Sequence, residues 1–447
     1  MKKKWIAVIL AVIMAMSLAA CGQASEESAS EDSSSQKTEE TEDKSLSASD
    51  IETTKTIKDS TNGGHAITTS GESPSYSKVK VVKTGDSDSE DADFYGDNSA
   101  VFATESGTLD LSSMIINTSG EHANAVFSYG EGTSVNISDS VIKTSGNCSG
   151  GLMTTGGGTM NAENLTVKTS GNSSAAIRSD RGGGTVNVDG GKYTTSGVGS
   201  PVIYSTADIT VSDSSLKSNK SQGVVVEGKN SVKLVDSDLS VNNTTVNGDQ
   251  TDTHQAVMIY QSMSGDASTG TSKFSMKGGS LTNKIGDIFF VNNTVTKISL
   301  NDADITNEDE DGIFLRAEAS GWGNSGSNGG HVSMKAKDQT IDGDMIVDDI
   351  STLNLILSKN SSFTGAVNKS GQAGDVYVKL TGGSKWKLTG DSYITSLTCD
   401  EDSIDLNGHK LYVNGKEYKE GTASEGSEVE VPESATKSNG MEAPPAP

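Results

Sequence analysis

The sequence predicts an all-β solenoid. Three observations carry that reading: a tripeptide at a fixed interval, apolar runs in the same order within each interval, and strand chemistry without helical periodicity. Thr-Ser-Gly ends at Gly120, Gly146, Gly171 and Gly197. A repeat of roughly 25 residues is one supersecondary unit that buries its apolar face only against neighbouring copies. Between Asp50 and Gly415 no sustained 3.6-residue apolar stripe occurs, and the chain holds 50 Gly and only 6 Pro.

Each interval contains three short runs. The first reads Ala100-Val101-Phe102, Ala125-Val126-Phe127, Gly151-Leu152-Met153, Ala175-Ala176-Ile177 and so on to Gly312-Ile313-Phe314. The second alternates, as Leu109/Leu111, Val135/Ile137, Val186/Val188 and Ile298/Leu300. The third is led by Asp, Asn or Gly: Asp139 before Val141, Asn164 before Leu165, Asp213 before Leu216, Asp302 before Ile305. Period-two alternation broken by Gly, Asn, Asp and Ser reads as strand and turn. The Thr-Ser-Gly column is read as corner chemistry, with hydroxyls satisfying turn backbone and Gly supplying positive φ.

Three strands per turn at this period resembles the right-handed parallel β-helix, the pectate-lyase-like fold. That resemblance implies about a dozen coils between Gly63 and Gly415, a rod roughly 55–60 Å long at one strand spacing per coil. In the first run only one of two adjacent apolar residues points inward. The larger one is expected inside: Phe102, Phe127, Met153, Ile177, Ile203, Met258, Phe289 and Phe314. Val101, Val126, Val202, Val224, Val257, Ile288 and Ile313 would then form an outward aliphatic stripe, a candidate interaction face unless a covering segment hides it.

The ends are distinct. Lys2, Lys3 and Lys4 precede an apolar run from Trp5 to Met16, too short for a mature membrane span. Leu18-Ala19-Ala20-Cys21-Gly22 follows and resembles the bacterial lipobox. The resemblance implies a signal peptide over 1–20 and a diacylated Cys21 that anchors the chain to a membrane. Residues 21–50 read as a disordered Ser/Glu-rich tether and 416–447 as a disordered tail. The β-helix occupies 51–415, closed by capping segments at 393–415 and 51–82, since a solenoid must cover its edges. Cys148 and Cys399 fall too many coils apart to pair, and no zinc spacing exists.

Charge limits the partners. With 35 Lys+Arg against 60 Asp+Glu the formal net charge is −25, which argues against nucleic acid. Asp86–Asp93 and Asp302–Asp311 are oxygen-rich, but neither has the glycine that an EF-hand needs at its sixth position. Ca²⁺ is a minor expectation, and the residues define no metal site. Trp-Ile-Asp-His, Asn-Thr-Asp and Gly-His-Gly segments, found in polysaccharide-cleaving β-helices, are absent. Arg178-Ser179-Asp180-Arg181 reads as a polar turn, and no residue is assigned a catalytic role.

Insertions remain as the place for function: 86–98, 243–255, 262–272 and 317–330. Trp322 sits in the last, and an exposed Trp is a sugar-stacking platform. With Tyr260, Gln261, Asn292, Arg316 and Glu318 it is the candidate ligand groove, the alternative being that Trp322 packs back on the rod. The chain resembles bacterial surface lipoproteins whose exposed part is a β-helix. That resemblance implies an outward-facing, non-enzymatic, adhesin-like protein recognising a glycan or a partner surface. A polysaccharide lyase or hydrolase is the alternative, and a passive rod the third reading.

Overall fold

In the computed structural model residues 45–433 are described, apart from 90, 247–250 and 263. The segment 1–20 read as a signal peptide, Cys21, most of the residues read as a tether and residues 434–447 lie outside the described residues. The fold is a parallel β-helix. Eleven first strands, from Ile67–Ser70 to Met345–Val347, stack into one sheet. Second and third strands join into a single 21-stranded sheet. A four-stranded sheet from Thr340–Asp342 to Ile404–Asp405 continues the third-strand column in the last coils.

One residue makes the bend between second and third strands in most coils, and a Gly-Gly pair does so at 190–191 and 278–279. Asp139, Asn164, Asp213, Asp236 and Asp302 hold φ of 47°, 50°, 48°, 46° and 52°. Asp and Asn tolerate the left-handed region because their short polar side chains bond locally. This is why the third run is led by those residues. The bend is so tight that Gly158–Thr169 and Gly184–Thr195 each run through it as one strand.

The Thr-Ser-Gly corner works differently from the sequence expectation. Its glycines are not in the left-handed region. A Cβ on Gly146, Gly171 or Gly197 would instead overlap the carbonyl oxygen of the column glycine one coil earlier. Glycine is required there for close approach of successive backbones. Hydroxyls do complete the corner: Ser149 Oγ donates to Gly120 O at 2.9 Å, Ser174 Oγ to Gly146 O at 3.1 Å and Ser200 Oγ to Gly171 O at 3.0 Å. At the N-terminal end the buried Lys83 stands in register between Asp59 and Thr118. Its Nζ donates to Asp59 Oδ2 at 2.7 Å and to Thr61 O at 2.5 Å. Burial works to raise the Asp59 pKa, but Lys83 and the hydrogen bonds from Thr61 together outweigh it and hold the carboxyl below its ordinary value.

The core corrects the first-run assignment. Ile67, Val101, Val126, Leu152, Ile177, Ile203, Val224, Val257, Phe289 and Leu315 stand in register and belong to the interior cluster. Ile177, Ile203, Phe289 and Phe314 are inside as expected. Phe102, Phe127, Met153 and Met258 are not: they project outward, beside Arg178 and Tyr204 in the same row. The residue before each inward position, such as Ala125, Val202 or Ile288, also faces the core because the chain is still turning there. The corner takes residues from Ala125 to Phe314, so size was a poor guide to direction. The expected aliphatic stripe does not exist, and insertions cover the true outward row.

Both ends extend past the sequence boundaries. Leu46 and Ala48, placed in the tether, pack against Ile115 and Val141 on the outside of the rod. Leu411–Val413 turns back as an antiparallel pair with Lys416–Glu417 and closes the last coil. The segment read as a disordered tail then runs along the rod. Ser424 bridges Cys399, and Asn354 exchanges hydrogen bonds of 3.0 and 2.9 Å with the Val429 backbone. Trp386 is buried, stacked on Phe363 at 5.4 Å.

Gly146→Val forces a side chain into the neighbouring coil's backbone and should cost about 3 kcal/mol or more, in the range of severe overpacking. Ser145→Val, one residue away on the surface, should move the melting midpoint far less. Equal shifts would show that the column is not a close-approach constraint.

Candidate functional site

Two regions of the surface are built differently from the rest. The first is the outward row of the first-strand sheet. Arg178, Tyr204, Val225, Met258, Phe290 and Arg316 follow one another in register, and Glu227, Tyr260 and Asn292 form a parallel row two positions on. Period two puts both rows on the same face. The insertion 86–98 folds over this face, with a short helix at Asp91–Tyr95. Thr155 Oγ1 donates to Phe94 O at 2.6 Å, and the Arg181 guanidinium lies 3.6 Å from the Phe94 ring centre. Arg181 Nε also donates to Asp266 Oδ1 at 2.6 Å, so one side chain joins two insertions far apart in sequence.

Beneath them lies a buried charge network. Arg178 donates to Asp180 at 2.8 Å and stands 3.6 Å from Asp93. Desolvation weakens the Arg178 charge, but Asp93 and Asp180 more than restore it. Burial pushes Asp180 up to about 6, against the pull of Arg178. His122 Nδ1 is 3.3 Å from Asp93 Oδ2, and that contact raises its pKa. Glu227 accepts from Tyr204 Oη at 2.5 Å, from Tyr260 Oη at 3.0 Å and from Ser262 Oγ. Burial dominates and pushes Glu227 up to about 7. Chemically this is a pair of carboxyls able to hold protons near neutrality, a property that catalytic acids need and that closed structural networks also show. Asp93, His122 and Cys148 bring ligand atoms within 4.8 Å of one another, but Cys148 is already engaged elsewhere.

The sequence read Arg178–Arg181 as a plain turn and missed Asp93, His122, Tyr204, Glu227, Ser262 and Asp266 as members of one cluster. A signal was present. Arg178 and Tyr204 fit the alternation only as outward residues, and the insertions 86–98 and 262–272 attach to the same sheet.

The six residues proposed as a ligand groove are brought together at the C-terminal end of this face. Tyr260 is buried, with its ring 5.3 Å from that of a half-buried Trp322. Gln261 Nε2 donates to Ser262 O and Ala267 O at 3.0 and 3.2 Å. Asn292 Nδ2 donates to Glu318 O and Asn328 O, both at 2.9 Å. Arg316 pairs with Asp287 at 2.6 Å and Glu318 at 3.4 Å. Their polar groups tie the insertions 262–272 and 317–330 to the rod, and Trp322 packs back. The acidic loops also use carboxylates internally: Asp86 accepts from Glu121 N at 2.9 Å and Asp309 from Gly286 N at 2.7 Å.

The second region is the outward face of the second strands, where insertions intrude least. Asn136 Nδ2 donates to Asp110 Oδ1 at 2.8 Å, Asn161 to Asn136 at 2.9 Å and Asn187 to Asn161 at 2.9 Å. This amide ladder lines a groove of about 1030 Å³ with Ser112, Ser138, Glu163, Asp189 and Ser212. No Lys or Arg lines it. Each amide nitrogen keeps a second proton and each amide oxygen a second lone pair. The groove therefore offers donor and acceptor pairs at one per coil.

No family model matches this chain, and neither the curated proteins nor the solved structures yield a match.

The buried network gives a pH dependence with a definite sign. Carboxyls whose pKa is raised on folding stabilise fully below their unfolded values. That contribution is lost as pH rises through about 6 for Asp180 and about 7 for Glu227. Thermal stability should fall from pH 5 to pH 8.5, by on the order of 3 kcal/mol for Glu227. Glu227→Gln should remove the upper part of the fall; melts of both proteins across that range check it, and parallel curves would refute it. Arg178→Met, which leaves Asp180 buried without its cation and Asp93 with His122 alone, should cost about 3–5 kcal/mol.

Proposed function

We propose that the protein is a lipid-anchored, outward-facing, non-enzymatic rod that recognises a glycan or a partner surface along its second-strand flank. The observation that carries this reading is the groove with its ladder Asp110–Asn136–Asn161–Asn187. Donors and acceptors fixed by the coil stack lose little freedom on binding, which favours weak but repeated contacts with an extended, hydroxyl-rich chain. Cys21 after a basic, apolar leader supports the anchor, and the net charge of −25 disfavours nucleic acid. Carboxylates in the groove and acidic loops support at most a bridging role for Ca²⁺. The Trp322 cluster then holds insertions in place beside the flank.

A second reading, a polysaccharide-cleaving enzyme, is favoured by one observation: burial in one network pushes two carboxyls up, Asp180 to about 6 and Glu227 to about 7. Both are buried, whereas glycoside cleavage needs two carboxyls flanking an accessible bond.

A glycan array probed with the full-length chain carrying Cys21→Ser tests the first reading. Binding to extended neutral glycans is expected, with at least a tenfold loss for the double variant Asn136→Ala, Asn187→Ala at an unchanged fold. Absence of any binding, or binding indifferent to the ladder, would contradict it. New reducing ends on incubation with the same polysaccharides, abolished by Glu227→Gln, would favour the enzyme.

A further inference from the structure

The second-strand flank divides by charge along the rod. On the second-strand segments 108–112, 134–138, 158–163, 184–189 and 208–212 the exposed outward residues include Asp110, Glu163, Asp189 and Asp208, and no Lys or Arg; Lys143, Lys168, Lys192 and Lys217 lie past the bend, on the adjoining third-strand face. On the next four, from Ser231–Val235 to Gly330–Lys337, they include Lys233, Lys273, Lys277, Lys297, Lys335 and Lys337, and no Asp or Glu. Bend aspartates such as Asp139, Asp213, Asp236 and Asp302 run through both halves and do not alter the division.

Register sharpens it. Glu163 stands directly opposite Asp189, and Lys273 directly opposite Lys297. Like charges side by side on one sheet face repel, and none of these four makes an ion pair among the described residues. The fold itself gains nothing from this order. A surface that carries one sign on one half and the opposite sign on the other is self-complementary about a two-fold axis through the boundary.

We infer that this flank binds a second copy of the chain, with the two rods antiparallel. A two-fold axis that lies along the strands, between the Asp208 and Lys233 coils, keeps each position along the strand facing its own column. It sets Asp189 directly against the partner's Lys277. It sets the Asp208 coil against the partner's Lys233 coil, those two side chains being two residues apart along the strand, and the Glu163 coil against the partner's Lys297 coil, four residues apart. Every coil advances by one strand spacing, so acidic coils meet basic coils along the interface as patches of opposite sign. Antiparallel rods carry their N-termini at opposite ends. With Cys21 anchored, the two copies belong to facing membranes, and the contact is homophilic adhesion. That last step rests on the proposed lipid-anchored role; the pairing of flanks does not.

Sedimentation of the full-length Cys21→Ser chain at low and high salt tests the pairing. The chain should dimerise at low salt and dissociate as salt screens the flank. Glu163→Lys with Asp189→Lys, and separately Lys273→Glu with Lys297→Glu, should each weaken self-association at least tenfold. A one-to-one mixture of the two variants should restore a dimer. Lys273→Gln with Lys297→Gln, a milder change, should weaken it less than the reversal. A wild-type chain that stays monomeric at low salt, reversals that leave the dimer intact, or a mixture that fails to rescue would overturn the inference. Vesicles bearing the lipidated chain should aggregate; dimers without aggregation would overturn the adhesion between facing membranes and leave the pairing of flanks standing. Loss of self-association with retained glycan binding sinks only this inference, whereas loss of glycan binding alone sinks only the glycan reading.

Discussion

Contact between successive backbones at one corner sets the geometry of the coils from Gly85 to Gly197, on which the later coils continue the stack. Gly120, Gly146, Gly171 and Gly197 lie so close to the coil before them that no side chain fits. Their serine neighbours bond across the same gap. Once that corner is fixed at one strand spacing, every other residue is in register with its counterpart one coil away. Chemistry at one position is then repeated as a row. The interior row becomes a continuous core, the bend row a line of left-handed Asp and Asn, and the flank row an amide ladder.

Rows explain why two faces of one rod differ so much. On the first-strand face the outward row carries aromatic and charged residues that water would solvate poorly side by side. Three insertions lie over it, and Arg181 couples the first two through Phe94 and Asp266. The cost is a set of buried carboxyls, met at Asp93 and Asp180 by Arg178 and at Glu227 by hydrogen bonds from Tyr204, Tyr260 and Ser262. On the second-strand face the row is polar already and needs no cover. Its amides satisfy one another and leave half of their bonding capacity toward solvent.

Fold class was legible because a repeat multiplies a weak local signal. Thr-Ser-Gly and the Asp/Asn leading the third run each recur at the same phase, and both proved to be backbone requirements. Side-chain direction in the first run was not legible. Ala125-Val126-Phe127 contains a corner residue, a core residue and an outward residue in succession, and apolar character alone does not separate them. The buried network was missed for a related reason: Asp93, His122, Arg178, Glu227 and Asp266 meet only because insertions fold across several coils, and no local pattern encodes that. The C-terminal segment looked like a tail by composition, yet the reciprocal Asn354–Val429 bonds fasten it.

Register is the claim on which the flank, its ladder and its charge order all stand, and disulfide trapping measures it directly. Thr210 and Lys233 face each other across one coil boundary, and Lys233 and Ser275 across the next. Cysteines at 210 and 233 are within bridging distance, about 5–6 Å between Cα atoms, whereas cysteines at 210 and 275 lie two strand spacings apart, about 9–10 Å and out of reach. Oxidation should close the 210–233 pair rapidly within one chain and leave the 210–275 pair open. A bridge in the second pair, or none in the first, would contradict the parallel coil stack.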